Sequence, residues 1–321
     1  MKSSISEIFE HNIRLLSAVN KAVYFFHIQR YDRALEILGD ITGDIKIVVA
    51  AVIENRAYFN IDSNDSVTKV MEMLENILSA QKSKDYVLLP DLLEMQFVTF
   101  ISSVQELIVK KEDFCTFDEN KYKSNLELLK LKLIKNSGDT EKLLGLLNEP
   151  LNPQKLLELG YRIEFTACGR MTVACRDRNG NEFYLHSNNM TDEESFELAL
   201  SWFEDGITFY GIYGFGLGYH IMELLKLLEN NNNAKICVYE GDCNILKLAC
   251  AFSDIQWLLN TDALDMVFDE NGRTFADRIS KALPVNTRYL CHLPSLKNIS
   301  DDKTRGKITE SIPNYCILEK L

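Results

Sequence analysis

Residues 210–242 read YGIYGFGLGYHIMELLKLLENNNNAKICVYEGD, and this stretch decides the fold. An apolar run from Ile207 to Tyr213 suits a buried strand, three glycines follow at Gly214, Gly216 and Gly218, and the spacing predicts an amphipathic helix over Tyr219 to Leu228. A second strand is predicted over Lys235 to Glu240. Missing β-carbons let a backbone turn tightly and approach a ligand, and amides opening a helix can bind an anion or a polar group. Glu240 ends the second strand, where a carboxylate commonly accepts hydrogen bonds from ribose hydroxyls. Gly214, Gly216, Gly218, Tyr219, His220, Glu240 and Asp242 are therefore the candidate ligand-binding residues, with a nucleotide-like molecule as the candidate cofactor.

The pattern is G-x-G-x-G, with Tyr219 standing where G-x-G-x-x-G places its third glycine. It departs from dinucleotide binding and sits closer to the layout of S-adenosylmethionine-dependent methyltransferases. The competing reading is that the glycines only permit close strand-helix packing and that Glu240 is a solvated strand end. Asp269 and Glu270, ending a later strand, are a lesser pair of candidates for the same crevice.

Downstream, alternation continues: a helix over Asn244 to Phe252, a strand over Leu264 to Phe268, a helix over Arg273 to Leu283 and a strand over Thr287 to His292. Strands alternating with helices imply right-handed βαβ units, hence a Rossmann-like, mostly parallel sheet in an α/β fold. Upstream, Tyr161 to Phe165, Met171 to Cys175 and Glu182 to His186 are short β-prone segments. Turn residues around Gly169 and the Asn179-Gly180 pair separate them, which predicts a three-stranded antiparallel β-meander. Thr191 with Glu194 three residues on reads as a capping box opening a helix.

Before Pro150 the chain is helical throughout. Phe9, Ile13, Leu16, Val19 and Val23 form one apolar stripe, and further helices are predicted from Tyr31, over Ile45 to Tyr58, Asp65 to Ala80, Leu88 to Val109, Lys121 to Ile134 and Thr140 to Leu147. The segment YFFHIQRYDRALEIL, residues 24–38, resembles the turn of a tetratricopeptide-like helix pair, but it lacks the small turn residue and a second copy at the ~34-residue period. The expected organisation is an all-α domain over residues 1–150, suited to recognising a protein partner, followed by the meander and Rossmann-like α/β domain over 151–321.

Composition narrows the function classes. The 321 residues carry a net charge of -12, so neither nucleic acid nor an anionic membrane is an expected partner. The most apolar stretch, Ile45 to Ile53, is too short to cross a bilayer, and the N-terminus lacks a signal-peptide pattern, so a cytoplasmic location is expected. The eight cysteines form no C-x-x-C pair and read as free thiols. Cys243 and Cys250 should share a packed helix face. His11 and His27 lie in the helical half. His220 adjoins the glycine turn and could face the crevice as a donor or acid-base group, with local capping or packing as the commoner role. His186 could approach the crevice from the side, with a hydrogen-bonded structural role favoured, and His292 lies near the end. No H-x-x-x-H or carboxylate-His cluster provides a metal site. Nothing matches a hydrolase elbow or a Walker loop.

Several strings together resemble one family: Tyr184-Leu185-His186-Ser187, Gly214-Phe215-Gly216-Leu217-Gly218-Tyr219-His220, Val238-Tyr239-Glu240 and His292-Leu293-Pro294-Ser295. They are similar to the N-terminal domain of the motility accessory factor (Maf) glycosyltransferases, over about residues 156–300. That resemblance implies a Rossmann-like N-terminal domain, a central domain related to sialyltransferases and DUF115 proteins, and a role in transferring CMP-activated nonulosonic acids to flagellin or other surface proteins. The chain ends at Leu321, about where the catalytic domain would begin, and Gly241 replaces the proline often found in Y-E-P. The resemblance thus implies either a fragment of a longer glycosyltransferase or a stand-alone, non-catalytic accessory or targeting module. The alternative is a methyltransferase-like or other nucleotide-binding enzyme.

Overall fold

In the computed structural model the described residues are 5–61, 64–112, 117–136, 140–166, 169–228, 234–281 and 286–312, without the side chains of 64–66, 134 and 136. Cys115, Cys168 and Cys316 lie outside them. The chain forms two compact units, residues 1–115 with 166–169, and residues 116–165 with 170–321.

The first unit is helical. Helices α1 (Ile5–His27) and α2 (Tyr31–Glu54) meet at a tight turn in which Gln29 takes the left-handed conformation (φ 61) and the Arg30 amide donates to Phe25 O at 2.8 Å, a helix-ending motif. Gln29 does there what a small residue does in a repeat turn. The two helices expected from Tyr31 and from Ile45 are one, because Gly39 and Gly43 sit inside α2 with open space beside them and do not break it. Helix α3 (Asn64–Ser83) follows. Then α4 (Leu88–Leu92), a π-helical turn over Leu93–Val98 and α5 (Thr99–Lys111) run on as one segment.

That last segment, Leu88–Lys111, has a mean hydropathy of 1.3 in its most apolar window and is the one described helix long and apolar enough to cross a membrane, where Ile45 to Ile53 had looked the most apolar. One apolar face of it is buried: Leu89, Leu93, Phe97, Ile101, Val104 and Ile108 pack in one core with Ile8, Leu15, Val19 and Phe26 of α1, while Leu88 and Met95 are exposed. Such three- and four-residue spacing is that of a helix facing a core. A buried polar bridge joins the same helices, the Asn12 amide donating to Ile101 O at 2.7 Å and to Gln105 Oε1 at 3.0 Å.

The second unit is α/β. It begins with α6 (Glu119–Asn136) and α7 (Thr140–Asn148), then α8 (Pro153–Glu158), which Asn152 caps through the Lys155 amide. The strands β1 (Arg162–Phe165), β2 (Met171–Arg176) and β3 (Glu182–Tyr184) form the antiparallel meander, and Asp177 organises the Asn179-Gly180 turn by accepting from the amides of Asn179 and Asn181. Helix α9 (Thr191–Trp202) differs at its start from a capping box. Thr191 is its first residue, its hydroxyl donating to Ser187 O, and Glu194 accepts the amide of Ser187 at 2.6 Å.

The parallel sheet then follows: β4 (Phe209–Tyr213), α10 (Tyr219–Leu227), β5 (Lys235–Glu240), α11 (Cys243–Phe252), α12 (Gln256–Asn260), β6 (Leu264–Phe268), α13 (Arg273–Lys281) and β7 (Thr287–Cys291), with α14 (Leu293–Lys297) and α15 (Asp302–Ser311) at the end. The strands lie in the order β6-β5-β4-β7, all parallel. Relabelled by appearance that is 3-2-1-4, the Rossmann arrangement, in which the order reverses between β4 and β7. Tyr210, Ile212, Ile236, Val238, Leu264 and Met266 point to one face of the sheet and join its larger core; Tyr213, Tyr239 and Val267 point to the other, beneath Phe275 and Ile308.

Residues 119–148, expected in the helical domain, belong instead to the larger core: Leu126, Leu129, Leu133, Leu143 and Leu147 are buried in it. Asn125 donates to Cys250 O at 2.9 Å, and Lys132 donates to Thr261 O and Leu264 O at 2.6 and 2.8 Å, which fix α6 to α11 and to the start of β6. The division therefore falls near residue 115 and not at 150. Pro150 and Pro153 mark the end of a helix, which sequence texture cannot tell from the end of a domain.

Both tryptophans, Trp202 and Trp257, lie in the second unit, so tryptophan fluorescence reports on that unit alone. Leu129→Ala should lower its stability by about 2 to 5 kcal/mol, the usual cost of emptying a buried leucine site. Urea unfolding followed by tryptophan fluorescence checks this; an unchanged midpoint would return α6 to the helical domain.

Candidate functional site

The end of β4 is where sequence and fold converge. Open α/β sheets bind ligands beyond the carboxyl ends of their strands at the point where strand order reverses, and here Gly214 follows β4 while His292 follows β7. Gly214, Gly216 and Gly218 all have positive φ (103°, 52° and 85°), a backbone that strongly favours glycine. The turn is real and requires these residues.

Its surroundings are not those of an open cradle. A β-carbon at Gly214 would lie 2.5 Å from Ser295 Cβ, and one at Gly216 would lie 2.8 Å from His186 Nε2 and 3.2 Å from His292 Cε1. The bare faces of the glycines are covered by the chain's own side chains. Phe215 and Leu217 are fully buried, and Tyr219 nearly so, its hydroxyl donating to Met171 O at 2.9 Å.

Glu240 is likewise engaged. Its Oε2 accepts the Phe215 amide at 2.8 Å, and its Oε1 accepts the amides of Gly241 and Asp242, each at 2.9 Å. The carboxyl is 4% exposed, so it is neither a solvated strand end nor an acceptor left over for a ribose. Burial, with the neighbouring Asp242 charge, pushes its pKa up to about 7 against the pull of the three amides. Asp242 caps α11 by accepting from Asn244 and Ile245, and its other oxygen takes the Tyr161 hydroxyl and the Asn298 amide. Asp269 accepts the amides of Thr274 and Phe275 and starts α13, whereas Glu270 pairs with Lys142 at the surface.

Three histidines complete the site. His186, His220 and His292 meet there, all at most 1% exposed, and their ring centroids lie 4.3 to 5.5 Å apart. Their ligand nitrogens are all within 4.8 Å of one another, a grouping that no H-x-x-x-H or carboxylate-His motif announces. His186 accepts the Leu217 amide at 3.2 Å, His220 Nε2 bonds Gly214 O at 3.2 Å, and His292 Nδ1 bonds Ser295 Oγ at 2.8 Å. Trp202 packs edge-on to His220. Among the site residues expected from the sequence, the structure thus unites the glycines with Tyr219, His220 and Glu240, and adds His186, His292 and Ser295. The position of His186 at the close of the meander and the strings Tyr184 to Ser187 and His292 to Ser295 are what signal these additions in the sequence.

Five cysteines among the described residues are free thiols. Cys243 and Cys250 are packed in the core, and burial pushes Cys243 up to about 12, which leaves it an unreactive thiol at neutral pH.

Residues 3–107 match a family described as "Domain of unknown function (DUF8042)". No curated protein matches the chain significantly. Among solved structures, the crystal structure of MnmC2 from Aquifex aeolicus is similar at 19% identity and a TM-score of 0.30, over 55% of this chain and 63% of that one. The chain thus spans less than two thirds of that protein's length.

Two outcomes follow from this geometry. A glutamine at 240 has one accepting oxygen for three amides on two sides, so Glu240→Gln turns an NH2 group on at least one buried backbone N–H. That should cost about 1 to 3 kcal/mol, read by urea unfolding at pH 8; a strand-end carboxylate in solvent would change stability by less than about 0.5 kcal/mol.

The second concerns pH. Burial lowers all three imidazole pKa values, His220 to about 4, with mutual repulsion adding at His186 and His292. Each ring is neutral when folded and takes up a proton when the chain unfolds below its ordinary value near 6.5. Their contribution is thus complete above about pH 6.5 and is lost as pH falls toward 4. Glu240, raised to about 7, works the other way between pH 7 and its unfolded value and offsets one of the three. Glu194, raised by burial, offsets part of the remainder, so unfolding near pH 5.5 should still take up protons net, and the urea midpoint should fall between pH 7 and 5. A midpoint that is flat or rising across that window would contradict neutral, buried imidazoles.

Proposed function

We propose that this chain is a non-catalytic, Maf-like accessory or targeting module of a surface-protein glycosylation system, acting in the cytoplasm, in which the helical unit engages a protein partner and the α/β unit is a rigid support. One observation carries the reading. At the switch point, where a Rossmann-like enzyme would hold its cofactor, the glycine faces are filled by Ser295, His186 and His292, and the acidic residue that would bind ribose spends both oxygens on three backbone amides. A folded chain with this arrangement has no carboxylate left at that position to select a nucleoside.

The strings behind the Maf resemblance support the same view. His186, the 214–220 turn, Glu240 and the His292 to Ser295 segment are dispersed in sequence, yet they form one packed cluster. What they share is a structural task, closing the end of the sheet around the turn. Residues used for packing fit a binding module without chemistry of its own.

A thermal-shift comparison tests the reading directly. S-adenosylmethionine, S-adenosylhomocysteine, CMP and NAD, each at high excess, should leave the melting temperature unchanged, whereas a ligand at a hundred times its dissociation constant stabilises by about 2.7 kcal/mol. A saturable shift with any of them would replace the module by a nucleotide-binding enzyme. Pull-down with the full chain from its native host should retain a flagellar or glycosylation protein; retention of neither would count against the partner.

A further inference from the structure

One of the three clustered histidines, His220, is wired as a metal ligand usually is, with one ring nitrogen fixed by a neighbour and the other left as a lone pair. Gly214 O can only accept, so the His220 Nε2 it bonds carries the proton. His220 Nδ1 is then a bare lone pair, and it is fully buried with no hydrogen-bond partner. Leaving a buried acceptor unpaired is costly, and a fold rarely keeps one without a reason. His292 Nδ1 lies 2.8 Å from Ser295 Oγ, and in the tautomer in which Nδ1–H donates to that hydroxyl, Nε2 holds the lone pair. His186 Nε2 is unprotonated, since it accepts the Leu217 amide at 3.2 Å, and that hydrogen bond would give way to an ion.

We propose that His186, His220 and His292 form a three-imidazole site for a divalent transition ion of the zinc class. Neutral nitrogen donors suit zinc and its neighbours and not calcium or magnesium. Burial keeps the rings unprotonated at neutral pH, as ligation requires. The ligand nitrogens lie within 4.8 Å of one another, and a zinc ion with bonds of about 2.0 Å needs them roughly 3.3 Å apart, a closure within reach of ring rotation. The absence of a β-carbon at Gly216 is what admits His186 and His292 beside the turn. The ion would tie the loop after β3 to the start of α10 and to the end of β7, closing the sheet end from three sides.

The full chain, stripped with chelator and titrated with Zn²⁺ against a chromophoric competitor, should bind one ion per chain. X-ray absorption of that complex should give nitrogen neighbours at about 2.0 Å, and a sulfur shell at about 2.3 Å would assign the ion to cysteines and overturn the proposal. Ser295→Ala, which removes only the group orienting His292, should weaken binding by about tenfold. His220→Gln and His292→Gln should abolish stoichiometric binding. Wild-type protein that takes up no zinc, or folded glutamine variants that bind as well as wild type, would each overturn the site. If the variants fail to fold, the absorption spectrum of the wild-type complex decides alone.

Discussion

The bond from the Phe215 amide to Glu240 Oε2, 2.8 Å long and fully buried, holds the glycine turn at the end of β4 to the end of the neighbouring strand. Glu240 also gathers the first two amides after β5, so one carboxylate sets the exit of two adjacent strands. A buried carboxylate is costly unless its lone pairs are taken by donors. Three amides meet that need, and once they do, the turn cannot open without exposing three donors and one acid together. The Asp242 cap of α11, the Tyr161 and Asn298 bonds to it and the placement of His220 on Gly214 O follow from where this one group fixes the chain.

The same constraint explains why the switch point is closed. In a Rossmann-like sheet the gap between the first and fourth strands exists because the connections leave it in opposite directions. Something must fill it, since an open apolar gap forfeits packing. In this chain three imidazoles, Ser295 and Phe215 do so, and they need glycine at 214 and 216 because any side chain there would collide with them. A glycine-rich turn is thus compatible with two opposite uses: approach of a ligand, or approach of the protein's own side chains.

How much was legible beforehand depends on the range of the interaction that fixes each feature. The Asn179-Gly180 hairpin and the strand-turn-helix at 207–228 rest on local propensity and periodicity, and both are found where the sequence places them. The parallel sheet follows from the alternation of elements, because crossover helices leave few other topologies. The start of α9 departs from a capping box because Glu194 reaches the Ser187 amide, four residues before Thr191, and α2 runs on because glycines with open space beside them need not end a helix.

By itself the amino-acid sequence determined the type and order of the elements, the glycine turn and the acid that answers it, since these depend on dihedral preference and on spacing along the chain. Tertiary structure alone decided what those residues are for. The assignment of α6 and α7 to the α/β core rests on Asn125 and Lys132 finding carbonyls more than a hundred residues away. The meeting of His186, His220 and His292 rests on three elements converging at one sheet end. Contacts of that range leave no period in a sequence, because each residue needs only to be suitable at its own place and the fold supplies the company.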